Sequence, residues 1–214
     1  MHPNAKAGVF YHKERRLSRG VVVGRNTMAD ETYKRVLDRA DRFFRSVASE
    51  QPQHLQCGRG CSFCCYGLFE IGAADVAIVA DGLSGLNASR RSMIIRKAQE
   101  ILEATNHPDL RECTQEEKES FFNRTAATPC PNLSEAGECL IYESRPLVCR
   151  TFGLPVRDGK RYIGDICELN FTEACDAEKH AAAWDLQWED VIGPEDVYTI
   201  PEAIVLAARM RGWA

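Results

Sequence analysis

Four cysteines fall within nine residues, Cys57-Gly-Arg-Gly-Cys61-Ser-Phe-Cys64-Cys65. A free cysteine usually serves as a small buried hydrophobe. That accounts for one or two thiols, not for four interleaved with glycines. A thiolate set that converges on one cation at about 2.3 Å needs a tight turn to aim several sulfurs the same way. Gly58 and Gly60 provide such a turn without Cβ clashes and leave backbone N–H groups free to face sulfur. The segment therefore reads as a loop, and regular structure has to be built around it.

A second, dispersed group follows: Cys130-Pro-Asn-Leu, Cys139-Leu-Ile-Tyr, Arg145-Pro-Leu-Val-Cys149-Arg-Thr-Phe, and Cys167. Pro131 and Pro146 stiffen these loops, so less entropy is lost when a site closes. The meaning of ten cysteines depends on the compartment. The N-terminus is basic but has no apolar core longer than Val21-Val22-Val23, which is too short for a secretory leader. No stretch approaches the roughly 20 apolar residues of a spanning helix. The expectation is a cytoplasmic protein without a membrane partner, where disulfides are rare and a dense cysteine set points to metal or redox chemistry.

The periodic segments predict a mainly α chain with a small β-hairpin, its helices set around a loop-built cysteine metal centre. Tyr33, Val36, Leu37, Ala40, Phe43, Phe44 and Val47 recur at helical spacing over 29–49, and Pro52 closes that helix. Further helices are expected over 72–83, over 88–105 behind the cap Asn87, from Thr114 to about Phe122 behind a Thr114/Glu117 capping box, over 173–187 behind Thr172, and over 201–211 with Pro201 in the first turn. Asp158-Gly159 supplies the left-handed turn of a hairpin over 156–162. Residues 1–27 hold six Lys/Arg and one acid and read as a disordered basic arm. Met28 stands at the start of the first strong helix and could be the true start. Residues 28–214 read as one cysteine-cluster domain with its metal core over about 55–170.

Other features carry less. The net charge of −4 does not suit a general nucleic-acid binder, although the basic arm could touch an acidic partner. No protein partner is indicated. Of five histidines only His54, three residues before Cys57, is placed as a candidate ligand. Cys113 and Cys175 read as ordinary thiols. Arg59, Arg145 and Arg150 adjoin ligand candidates and could offset thiolate charge. Trp184 and Trp188 read as an i, i+4 pair on a helix, packed into the core. Phosphate-binding glycine loops, nucleophile elbows and H-E-x-x-H motifs are absent from the sequence.

The whole arrangement, C-x3-C-x2-CC over Cys57–Cys65, then CP-x-L over Cys130–Leu133, G-x-C-x-IY over Gly137–Tyr142, RP-x2-CR-x-F over Arg145–Phe152, and Cys167 beyond, resembles the YkgJ-like cysteine-cluster family, the CxxCxxCC zinc- or iron-chelating domain. The resemblance implies a metal domain with eight ligand cysteines: Cys57, Cys61, Cys64, Cys65, Cys130, Cys139, Cys149 and Cys167.

Adjacent Cys64 and Cys65 fit poorly at two corners of one tetrahedron. They suit different metals, or one ligand and one supporting thiol. Eight ligands would also suit two sites. Three close cysteines plus a distant one favour an Fe–S cluster slightly over Zn²⁺. The expected role is a metal-binding protein of structural, carrier or regulatory kind rather than an enzyme. One alternative is an Fe–S enzyme related to S-adenosylmethionine-dependent protein (flagellin lysine) methylation, because Cys57, Cys61 and Cys64 have the radical-enzyme spacing. The other is a thiol-redox protein or metallochaperone that exchanges ligands at Cys64 and Cys65.

Overall fold

The computed structural model describes residues 27–58, 60–193 and 196–213. The basic arm lies outside these residues except for Thr27, and so does Arg59. The described chain is mainly helical with short strands and falls into two compact units. Among the described residues no helix is long and apolar enough to cross a membrane.

The first unit comprises 60–146 and 196–213. It holds β1 (Glu70–Gly72), α2 (Ala73–Ser84), α3 (Ala88–Ala104), α4 (Gln115–Arg124), β5 (Val197–Thr199) and α7 (Ile200–Arg211). Helices α2, α3 and α7 pack on one another through Val79, Leu83, Ile94, Ala98, Ala203, Ile204 and Ala207, all buried. Local signals set the helix ends. Asn87 Oδ1 accepts the Arg90 N–H at 2.9 Å, and Glu117 closes the Thr114 capping box at 2.7 Å. Gly212, at φ 68°, ends α7 in the left-handed region that glycine enters freely. β1 pairs antiparallel with β5, Ile71 opposite Tyr198. A satellite core of Leu68, Leu110, Phe121 and Phe122, with Ile101 against it, lies behind the segment that follows Cys65. Lys118 Nζ, largely buried, reaches Glu70 Oε1 at 2.9 Å and fastens α4 to β1.

Gly82 marks the close approach of α2 to the 141–144 segment. A Cβ there would sit 2.7 Å from the Ser144 Cβ and 3.0 Å from the Ile141 Cβ. Alanine gains about 1 kcal/mol of helix propensity over glycine, but overpacking costs about 1–3 kcal/mol. Neither neighbouring Cβ is the end of a flexible chain, so the clash wins. Gly82→Ala is expected to lose about 1 kcal/mol in urea unfolding, and a gain in stability would refute the packing account.

His107 is nearly buried, 3.0 Å from Thr199 Oγ1 and 3.5 Å from Glu202 Oε2. Burial holds its imidazole below the ordinary histidine range, with Glu202 opposing. The unfolded chain takes up that proton near pH 6.5 and the folded chain resists it, so the unfolded state binds more protons and stability falls as pH drops below about 6.5. The slope of unfolding free energy between pH 7.5 and 5.5 should flatten in His107→Gln. An unchanged slope would show that other groups set it.

The second unit comprises 27–58 and 147–193. Helix α1 (Thr27–Glu50) packs against α5 (Leu147–Thr151) and the 3-10 turn Leu186–Ile192. The hairpin forms as β2 (Val156–Asp158) and β3 (Arg161–Gly164), with Gly159 at φ 58° in its turn. β4 (Trp184–Asp185) joins β2 in parallel, which makes the order β3-β2-β4.

Two expectations are corrected in this unit. Helix α6 spans Asp176–Ala182 only, with Cys175 rather than Thr172 at its N-cap. Trp184 and Trp188 do not share a helix, because the Trp184 N–H is taken by Pro155 O at 2.8 Å and draws the chain into the sheet. Both indoles still pack on Phe43, at 5.9 and 5.1 Å, with Trp184 in the core and Trp188 half-buried beneath Arg39.

Candidate metal centre

In the first unit, Cys61 precedes a single 3-10 turn, Phe63–Cys65, which presents Cys64 and Cys65. The Cys65 N–H donates to Ser62 O at 2.8 Å and sets the turn. Main-chain bonds then dock this turn on the later cysteine loop. The Cys130 N–H donates to Cys65 O at 2.7 Å and the Gly67 N–H to Thr128 O at 2.8 Å, with a bridge between Tyr66 and Pro129. Two segments more than sixty residues apart in sequence are thereby brought together.

Cys130 and Cys139 sit on a small hairpin of their own. Leu133 pairs antiparallel with Cys139, and the Leu140 N–H donates to Asn132 O at 2.9 Å. Gly137, at φ 77°, makes its tip possible. Each sulfur receives the N–H two residues on, Asn132 for Cys130 and Ile141 for Cys139. A backbone N–H aimed at sulfur offsets thiolate charge, which suits a thiolate that ligates metal.

The charges agree with this proximity. The Cys65 S–H donates to the Cys64 sulfur and draws the Cys64 thiol down to about 7, with burial opposing and Arg145 assisting. The same bond pushes the Cys65 thiol up, helped by burial and by the charges of Cys64, Cys130 and Cys139. Burial pushes Cys130 up to about 12 and raises Cys139, against its N–H donor and Arg145. Cys64, Cys65, Cys130 and Cys139 therefore feel one another's charge. Among the described residues, however, no three His, Cys, Asp or Glu side chains stand in an arrangement that could hold a metal ion. The Cys64 and Cys65 side chains interact with each other and shift each other's thiols in opposite directions. The donor set fits zinc or iron in its chemistry: soft sulfurs, main-chain N–H groups on two of them, and one guanidinium nearby.

In the second unit, Cys57 Sγ accepts from Asn170 Nδ2 at 3.2 Å. Cys149 lies on α5, and Cys167 is buried. His54 lies in the same unit with its Nε2 3.3 Å from Glu178 Oε1 and its ring stacked on Phe171.

The arginines divide. Arg145 bears on Cys64 and Cys139, and its guanidinium lies 3.7 Å over the Tyr142 ring. Arg150 is buried in an ion pair with Asp41 of α1. Of the ordinary thiols, Cys113 donates to Asp109 O at 3.4 Å and Cys175 caps α6. Sequence reading passed over Asn132 and Asn170, both buried and both beside cysteine sulfur. A loop asparagine looks like a turn residue until its partner is known.

A family model described as "CxxCxxCC: Putative zinc- or iron-chelating domain" matches residues 56–168, more than half of the chain. No curated protein and no solved structure matches it.

Proposed function

Because this chain belongs to the CxxCxxCC family of zinc- or iron-chelating domains, we propose that it holds its metal through thiolates, in a structural, carrier or regulatory role rather than as an enzyme. Cys61, Cys64, Cys65, Cys130 and Cys139 are the ligand candidates of the first unit, and Cys57, Cys149 and Cys167 those of the second. The observation that carries the reading is the convergence of the Cys64/Cys65 turn on the Cys130/Cys139 hairpin, where two sulfurs already accept main-chain N–H groups. Bound there, zinc would cross-link the loops, whereas an iron–sulfur cluster would add electron transfer. Cys64 and Cys130 would supply thiolates from the two loops, and Arg145 would offset part of their charge.

Between the metals the reading favours iron–sulfur, because a close cysteine group with a distant member is a common cluster layout. The methylation alternative gains no support from the fold, since the described residues contain no repeated β/α units of a barrel. Anaerobic purification with elemental analysis and an absorption spectrum is the test. Brown protein with iron and acid-labile sulfide selects the cluster, and colourless protein with zinc selects the cross-link. Correctly folded protein free of both metals and unable to take up either would end the proposal.

A further inference from the structure

We propose that Asn170 is a positioning residue for the Cys57 sulfur, a buried neutral amide that aims a ligand candidate before any cation arrives. This rests on the thiolate reading above. Asn170 is 3% exposed. Its Nδ2 donates to Cys57 Sγ at 3.2 Å and to Gly153 O at 2.7 Å, and its Oδ1 accepts the Gln56 N–H at 2.8 Å. Both amide protons and the carbonyl are thus engaged, so the group has one orientation. The backbone around it is fixed as well, because the Phe171 N–H donates to His54 O at 2.8 Å.

Gly153 confines the sulfur from the other side. A Cβ at this glycine would stand 2.7 Å from Cys57 Sγ and 2.9 Å from Asn170 Nδ2. Its φ is not in the left-handed region, so closeness rather than backbone freedom explains the glycine. Cys57 itself is exposed as a residue, although its sulfur is held by Asn170. An N–H···S bond both orients a thiolate and spreads its charge, which is what outer partners of metal ligands do. Asn132 repeats the device in the first unit. It is 2% exposed, its amide bears on the Cys130 sulfur, and its Oδ1 is buried without a hydrogen-bond partner among the described residues.

A latch that merely joined 56 to 170 would have the same hydrogen bonds, so the test has to separate the two roles. Zinc affinity is measured by competition with a chromophoric chelator for the full chain, Asn170→Ala, Cys57→Ser and the double variant, alongside metal-free melting of each. Asn170→Ala is expected to weaken zinc about 10- to 100-fold and to add nothing in the Cys57→Ser background. Gly153→Ala, whose Cβ would press on both the Cys57 sulfur and the Asn170 amide, should weaken zinc in the same way and likewise fall silent without Cys57. It carries the test if Asn170→Ala does not fold. Equal weakening with and without Cys57, or none at all, would overturn the assignment. Failure of the unaltered chain to bind zinc in this assay, together with no zinc or iron in the anaerobically purified protein, would overturn the thiolate reading beneath it.

Discussion

Cys130→Ser combined with Cys139→Ser is expected to strip the chain of metal and to lower its melting temperature by about 10 °C. The two sulfurs share one hairpin, accept N–H groups in the same way, and face the Cys64/Cys65 turn. Removing both deletes half of that constellation and leaves its hydrogen-bonded frame in place. A ligand present at 1,000 times its dissociation constant stabilises the folded state by about 4 kcal/mol, and for a chain of this size each kcal/mol is worth about 2–4 °C. The packed helices α2, α3 and α7 persist, so the variant should remain helical by circular dichroism. Cys113→Ser is the control, because that thiol donates to Asp109 O and takes no part in the cluster. Equal metal loss in the control, or unchanged metal and melting in the double variant, would refute the assignment.

Asp41→Ala is expected to cost about 3 kcal/mol and to leave metal content untouched. The Arg150 side chain is 7% exposed and pairs with Asp41, whose side chain is 29% exposed. Deleting one partner of a buried pair typically costs about 3–5 kcal/mol, because the remaining charge stays desolvated. Partial exposure of Asp41 places this case at the lower end. Chemical denaturation measures the loss and elemental analysis the metal. Metal lost in step with stability would return Arg150 to the sulfur-supporting role its place beside Cys149 suggested. A cost below about 1 kcal/mol would make the pair a surface contact.

Where one segment carries its own signal, sequence and structure agree. The Asn87 cap, the Thr114 and Glu117 box and the Asp158-Gly159 turn are read within four residues of chain, and each appears as expected. The errors share a different cause. Trp184 looked helical because its neighbours are, but its N–H is claimed by Pro155, 29 residues back. β1 and β5 are three residues each and pair across more than a hundred, too short for any alternating pattern to reveal them. Within the candidate site, the cysteine spacing singled out the segments that the main chain docks together, and the nearness of Arg145 to Cys64 and Cys139 followed from adjacency. The choice between Arg145 and Arg150 turned on Asp41, and the amide of Asn170 meets Cys57 across a separation of 113. Such partners are chosen by tertiary packing, which no local window contains.

The bond from the Cys130 N–H to Cys65 O, with the Leu140 N–H to Asn132 O beside it, belongs to the main chain and is indifferent to side-chain identity. Positions 64, 65, 130 and 139 are therefore mounts on a frame that survives exchange of what is mounted. If the proposed metal is held at these positions, exchange of sulfur for imidazole or carboxylate at one mount would retune which ion is held without rebuilding the loops. Under that proposal, a change of preferred metal would need no change of backbone.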